Sequence, residues 1–101
     1  MHASIWKFTG DTDDLARRYD ALLGDMPTDG LIAHLCLRAP DGIVIFDTCP
    51  TREAYEAFAT GEEFRSARRR HGLPDPVEVD DYPVHVVFLN GGRPVRTGAV
   101  D

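Results

Sequence analysis

No stretch of this chain is apolar for the roughly 20 residues a membrane-spanning helix needs, so a helical span is excluded. Basic residues are in the minority. Eleven lysines and arginines stand against 17 acidic residues, for a formal net charge of −6. Phosphate backbones are held by basic surfaces, so nucleic acid is not an expected partner. Two cysteines, Cys36 and Cys49, and four histidines are all the soft metal ligands available. None falls in a Cys-x-x-Cys or His-x-x-x-His spacing, so no metal site is expected. There is also no glycine-rich phosphate loop, no dinucleotide fingerprint and no Ser-His-Asp pattern readable by spacing. Internal repeats and low-complexity tracts are missing. The opening Met1-His2-Ala3-Ser4-Ile5-Trp6 lacks the basic and apolar regions of an export signal. A cytoplasmic location with reduced thiols is the expectation that follows.

What is present is ordinary globular composition, 43% hydrophobic and 28% charged over 101 residues. That length allows one core, placed here over residues 1–90, with 91–101 expected as a flexible C-terminal tail. His2 to Thr9 reads as a strand closed by Gly10. Asp11 or Thr12 can cap a helix whose apolar stripe is Leu15, Tyr19, Leu22 and Leu23, ended by Gly24. Leu31 to Arg38 and Ile43 to Thr48 read as a hairpin around Ala39-Pro40-Asp41-Gly42. From Pro50-Thr51 to His71 the stripe Tyr55, Phe58, Ala59, Phe64 and Ala67 is interrupted at Thr60-Gly61. Two short helices, or one sharply kinked, are expected, with Thr60 and Glu63 at capping-box spacing and Gly72 ending the second. A last strand is expected from Val77 to Leu89, bent near Asp80 to Pro83 and most β-prone over Val84 to Leu89.

If Pro40, Asp41 and Gly42 form a three-residue turn with a G1 bulge, Ala39 faces Ile43 and the register follows. His34, Cys36 and Arg38 then share one side with Thr48, Phe46 and Val44. Leu31, Leu35 and Leu37 share the other with Ile43, Ile45 and Asp47. Cys36 and Cys49 come to lie on opposite faces and do not bridge. The order strand, helix, hairpin, helix, strand predicts an α+β, ferredoxin-like βαββαβ sandwich: a four-stranded antiparallel sheet with helices on one face. Because apolar residues appear on both faces and helices suffice for one, a second copy of the chain is expected against the open face.

The run Ile43-Val44-Ile45-Phe46-Asp47-Thr48, followed by Thr51-Arg52-Glu53-Ala54-Tyr55-Glu56-Ala57-Phe58 and then Glu63-Phe64-Arg65-Ser66-Ala67-Arg68, resembles the dimeric α/β-barrel superfamily. Within it the antibiotic-biosynthesis-monooxygenase-like branch fits best. The resemblance covers Ile5 to Leu89 in topology and the middle third in residue pattern. It implies a homodimer joined through the sheet into a dimeric α/β barrel. It also implies cofactor-independent oxygenase or cyclase chemistry on an aromatic or polyketide-like molecule, with no bound cofactor. The haem-degrading branch is disfavoured. Its axial histidine aligns with Arg68, its tryptophan with Phe58, and its first-strand asparagine has no counterpart among His2, Ser4 and Lys7.

Among the residues themselves, His34 and His85 are the candidate catalytic groups, because a neutral imidazole in a dry cavity can accept a proton from a phenol or enol. Trp6, Cys36 and Tyr55 are the candidate substrate-binding residues. Each has a plainer reading. Trp6 and Tyr55 suit a core, a buried cysteine is usually a small apolar residue, and a packed histidine can be purely structural. Arg65, Arg68, Arg69 and Arg70 suit a solvated helix end, and Asp11, Asp13 and Asp14 suit helix caps. The alternative to an enzyme is a non-catalytic ligand-binding or stress-type dimer taking a small hydrophobic or aromatic ligand, or a bare interaction module.

Overall fold

The computed structural model describes residues 1–26, 32–88 and 95–96. Strand β1 (His2–Thr9) is followed by helix α1 (Thr12–Leu23) and by a hairpin of β2 (His34–Ala39) and β3 (Gly42–Cys49). Helices α2 (Arg52–Thr60) and α3 (Glu62–Arg70) lead to β4 (Glu78–Pro83), and a short pair, β5 (Val86–Val87) with β6 (Val95–Arg96), comes last. The main sheet has the order β2-β3-β1-β4 with every neighbour antiparallel, as the ferredoxin-like plan requires.

Local chemistry places the helices where the pattern predicted. The Asp11 carboxylate accepts the Asp14 N–H at 2.9 Å and caps α1, while the Thr12 hydroxyl donates to the Ala39 carbonyl and ties the helix to the hairpin. Thr51 caps α2 by accepting the Ala54 N–H. The interruption is real, giving two helices, but Gly61 makes it. Gly61 ends α2 in an extended conformation and starts α3 with no side-chain cap. The Thr60 hydroxyl instead donates back to the Glu56 carbonyl, so the expected capping box does not form. Gly72, at φ +73, turns the chain out of α3 in the left-handed region open to glycine.

The hairpin register differs from expectation by one residue. Ala39 pairs with Gly42, so Leu37 faces Val44, Cys36 faces Ile45, Leu35 faces Phe46 and His34 faces Asp47. The reason is Gly42. It is taken into the ladder by pairing with Thr9 of β1 and is not spent on a left-handed bulge. A side chain there would meet the Phe8 carbonyl oxygen at 1.9 Å, so only glycine allows the approach. A one-residue slip exchanges the faces. Cys36 and Cys49 therefore share a face. They stay free because Cys36 faces Ile45, four residues along β3 from Cys49.

The last strand also needs correction. Glu78–Pro83, which includes the expected bend at Asp80 to Pro83, pairs with β1, whereas Val86–Val87 leaves the sheet to pair with Val95–Arg96. The Val77 N–H donates to the Lys7 carbonyl and the Val84 N–H to that of Met1, so backbone pairing with β1 outweighs side-chain β-propensity. Leu31 and Leu89 lie outside the described residues, as does the expected tail apart from the Val95–Arg96 pair.

The core fills the space between sheet and helices: Trp6, Phe8, Ile43 and Ile45 from the strands, and Leu15, Tyr19, Leu22, Tyr55 and Phe64 from the helices, all buried. The other face carries Ile5, Leu35, Leu37, Val44, Phe46 and Tyr82 by register. Leu35 and Leu37 remain 52% and 49% exposed. The surplus apolar face is present, but Leu35 and Leu37 share it with Val44 and Phe46, and Ile43 and Ile45 belong to the core.

Candidate functional site

A cavity of about 250 Å³ lies on the helix side of the sheet. Strand β1 contributes Trp6 and Phe8 to it, helix α1 contributes Tyr19 and Leu22, and α2 and α3 contribute Phe58 and Phe64. Phe64 stands edge-on to Trp6, with ring centroids 5.4 Å apart, and stacks on Phe58 at 4.5 Å. The indole N–H of Trp6 is spent on the Ser4 hydroxyl at 2.8 Å, so the tryptophan offers the cavity carbon alone. A void of ~150 Å³ with such walls is known to hold a benzene ring. This one is larger by roughly 100 Å³, more than a second fused ring requires.

One corner is polar, and pairing of β2 with β3 makes it. His34 and Asp47 are directly opposite each other across the two strands. Thr48 anchors the entry to β2: its hydroxyl accepts from the Ile32 and Ala33 N–H groups and donates to the Ala33 carbonyl. Tyr19, one helical turn after Leu15, stacks its ring parallel to the imidazole at 5.8 Å, with its hydroxyl hydrogen-bonded to His34 Nε2. On the far side, His34 Nδ1 lies 3.2 Å from Asp47 Oδ1, without the direction of a good hydrogen bond and with no other partner among the described residues. Asp47 Oδ1 also accepts the Thr48 N–H at 2.9 Å. Burial, reinforced by the nearby Asp47 carboxylate, pushes the Tyr19 phenol well above its ordinary value. Tyr19 therefore keeps its proton and donates it to Nε2, which assigns the imidazole proton to Nδ1, facing the carboxylate. The result is a line of phenol, imidazole and carboxylate bordering an aromatic-walled void.

Of the predicted site residues, the structure brings Trp6 and His34 to this cavity. It does not bring the others. Cys36 is exposed on β2 outside the lining, and partial desolvation with Asp20 nearby pushes its thiol up, away from nucleophilic use. Tyr55 is buried but packs on the ring of His2, at 5.3 Å. His85 is exposed between β4 and β5 because the chain has already left the sheet. Tyr19 and Asp47 are the functional candidates that sequence reasoning passed over. Tyr19 read as one more residue of an apolar stripe, although a buried phenol needs a partner. The expected register puts Asp47 with Ile43 and Ile45, as in the structure, but leaves His34 on the opposite face, so the pair stays hidden.

Among the described residues no three His, Cys, Asp or Glu side chains converge as metal ligands. Arg68 lies over the Phe64 ring at 5.2 Å and pairs with Asp75. Arg69 and Arg70 are likewise committed to Glu62 and Asp25. No helix among the described residues is long and apolar enough to cross a membrane.

No family model matches the chain, and no curated protein does. Solved structures do. A candidate antibiotic biosynthesis monooxygenase from Chloroflexus aurantiacus J-10-fl superimposes with a TM-score of 0.60 at 16% identity, over 82% of this chain and 92% of that one. Rv0793 from Mycobacterium tuberculosis superimposes with a TM-score of 0.57 at 21% identity, over 82% and 93%. The chain shares its ferredoxin-like fold with both. At these identities the likeness extends to the ferredoxin-like architecture and not to side chains in the cavity.

Proposed function

We propose that this chain is a small-molecule-binding protein performing cofactor-independent oxygenase or cyclase chemistry on an aromatic or polyketide-like substrate held in the helix-side cavity. The observation that carries this reading is the Tyr19–His34–Asp47 line on the wall of an otherwise largely apolar void lined by aromatic and aliphatic side chains. A substrate phenol or enol in this corner would give its proton to the line, either to the Asp47 carboxylate directly or to the Tyr19 oxygen as Tyr19 hands its own to His34 Nε2, with Asp47 then stabilising the imidazolium. The electron-rich enolate so formed needs no redox cofactor: oxidation of an activated methylene by dioxygen, CH₂ + O₂ → C=O + H₂O, balances without an external reductant. The cavity volume favours one or two fused rings over larger skeletons.

A second reading has its own support. The Tyr19 hydroxyl occupies Nε2 and Nδ1 faces Asp47, so the imidazole has no nitrogen free for a substrate. A protein that only binds its ligand would have this arrangement too. Oxygen-electrode measurements with purified protein and a panel of one- and two-ring hydroxy-aromatics separate the two. Uptake stoichiometric with substrate loss supports the enzyme. Raised thermal stability without uptake or loss of ligand supports the binding protein and sinks the enzyme reading.

The open sheet face supports a homodimer paired through it, the arrangement that would protect Leu35, Leu37 and Phe46 from water. Placing a charge there, as in Leu37→Arg, is expected to convert a dimer to a monomer at micromolar concentration, read by sedimentation velocity. A wild-type monomer under the same conditions would contradict the pairing. The free thiols suit the reducing cytoplasm proposed for the chain.

A further inference from the structure

The hydrogen-bonding groups around the cavity are unequally committed. Its strong donors are already used or shielded: Trp6 Nε1 gives to Ser4, the Tyr19 hydroxyl is engaged with His34, the Thr48 hydroxyl gives to the Ala33 carbonyl, and the His34 Nδ1 proton is buried against Asp47, which leaves the Cys49 thiol as a weak donor. Its acceptors are not. Asp47 is buried and lines the void, yet its partners, the Thr48 N–H and His34 Nδ1, both reach Oδ1, and none among the described residues reaches Oδ2. The Tyr19 oxygen also keeps a lone pair after donating.

From this we infer that the cavity selects an uncharged aromatic molecule by a single hydrogen-bond-donating head, a phenol or enol O–H received at Asp47 Oδ2, and rejects the same skeleton bearing a carboxylate. The inference rests on the cavity reading above and adds the atom that receives the head group and the exclusion of an anionic one. A carboxylate entering this corner would lose its water, find no strong free donor and stand beside a second carboxylate. Desolvation and like-charge repulsion both oppose that. A hydroxyl has the opposite balance, because a hydrogen bond to an ionised acceptor is among the stronger kinds. The remaining wall is apolar, mostly carbon with the sulfurs of Met26 and Cys49, so the rings contribute affinity and the head contributes the choice.

Isothermal titration of the full chain at neutral pH with 2-naphthol, naphthalene, 2-naphthoate and 2-naphthylmethylamine tests this. Naphthol is expected to bind roughly tenfold or more tightly than naphthalene, and naphthoate at least about tenfold more weakly than naphthalene. Asp47→Asn keeps the size of the side chain and removes its charge. It should erase the naphthol preference and admit naphthoate, a gain that mere loosening of the fold would not produce, with unchanged naphthalene binding showing the cavity intact. Naphthoate binding as tightly as naphthol, or the ammonium of naphthylmethylamine binding more tightly than either, overturns the head-group assignment while leaving a ligand cavity. Binding of none of the four overturns the assignment and the cavity reading together.

Discussion

Two histidine–carboxylate–tyrosine groups stand on the same face of the same sheet, and only one borders a cavity. His34, Asp47 and Tyr19 meet where β2 and α1 come together. His2, Asp81 and Tyr55 meet at the β1–β4 side, where His2 Nε2 lies 2.6 Å from Asp81 Oδ1 and the Tyr55 ring tilts over the imidazole at 5.3 Å. The residue types are identical, and in both groups burial pushes the phenol up with an aspartate reinforcing it. Their surroundings differ. His2 is 3% exposed and none of its group lines the void. The triplet is therefore not what makes a candidate site; empty, aromatic-walled space beside it is. In the His2 group the same chemistry serves to fix the first and last strands of the sheet to each other.

The largest effect that separates the groups is on activity. With a hydroxy-aromatic that supports oxygen uptake, His34→Gln is expected to lower kcat/KM by about 10²–10⁴, the usual worth of a positioned proton acceptor. His2→Gln should leave it within about threefold. Equal losses in the two variants would erase the distinction. Stability should rank them the other way. His2→Ala removes a fully packed ring and leaves Asp81 without its partner, at a cost of roughly 2–4 kcal/mol. His34→Ala takes the partner of the buried Tyr19 hydroxyl, but it enlarges a void that already exists, where water can replace that partner, and should cost less, about 1–2 kcal/mol. Urea unfolding of both variants measures this, and a larger loss for His34→Ala would show that its group holds the fold as well.

How far these groups were legible in the sequence follows from what each depends on. Element order, helix caps and the break at Gly61 are local, set by residues within a few positions of one another, and could be read from the chain. The apolar stripe containing Tyr19 could be read as well. The partnership of His34 with Asp47 could not, because it depends on whether Gly42 belongs to the turn or to the ladder. That is settled by the Phe8 carbonyl, 34 residues away in sequence, against which only a glycine fits. A two-residue turn at Pro40-Asp41 would have paired His34 with Asp47 directly. The last strand failed for a related reason. Val84 to Leu89 has the stronger β composition, but backbone pairing with β1 is taken up by Glu78–Pro83, whose Asp80, Asp81 and Pro83 read as a bend. Asp81 is also the partner of His2, so the same misreading hid the second group.

The smallest expected effect tests the two phenols. Each is raised above the ordinary tyrosine value of 10.0, Tyr19 by the larger amount. A phenol whose folded-state pKa exceeds the unfolded one keeps its proton where the unfolded chain has released it. Its contribution to stability is whole below pH about 10 and is lost as pH rises from there toward the folded-state value. In that window each such phenol contributes a slope of at most about 1.4 kcal/mol per pH unit. Cys36 and Cys49, also pushed up by burial, add a fall of the same sign beginning near pH 9, but they do so equally in every tyrosine variant. Differences between variants therefore isolate the phenols. Denaturant unfolding between pH 9 and about 11 should show the alkaline loss reduced in Tyr19→Phe and reduced less in Tyr55→Phe. Parallel profiles for Tyr19→Phe and wild type would mean that Tyr19 ionises as freely in the folded chain as in the unfolded one. The donor assigned to His34 Nε2, and with it the direction of the proton line beside the cavity, would then be wrong.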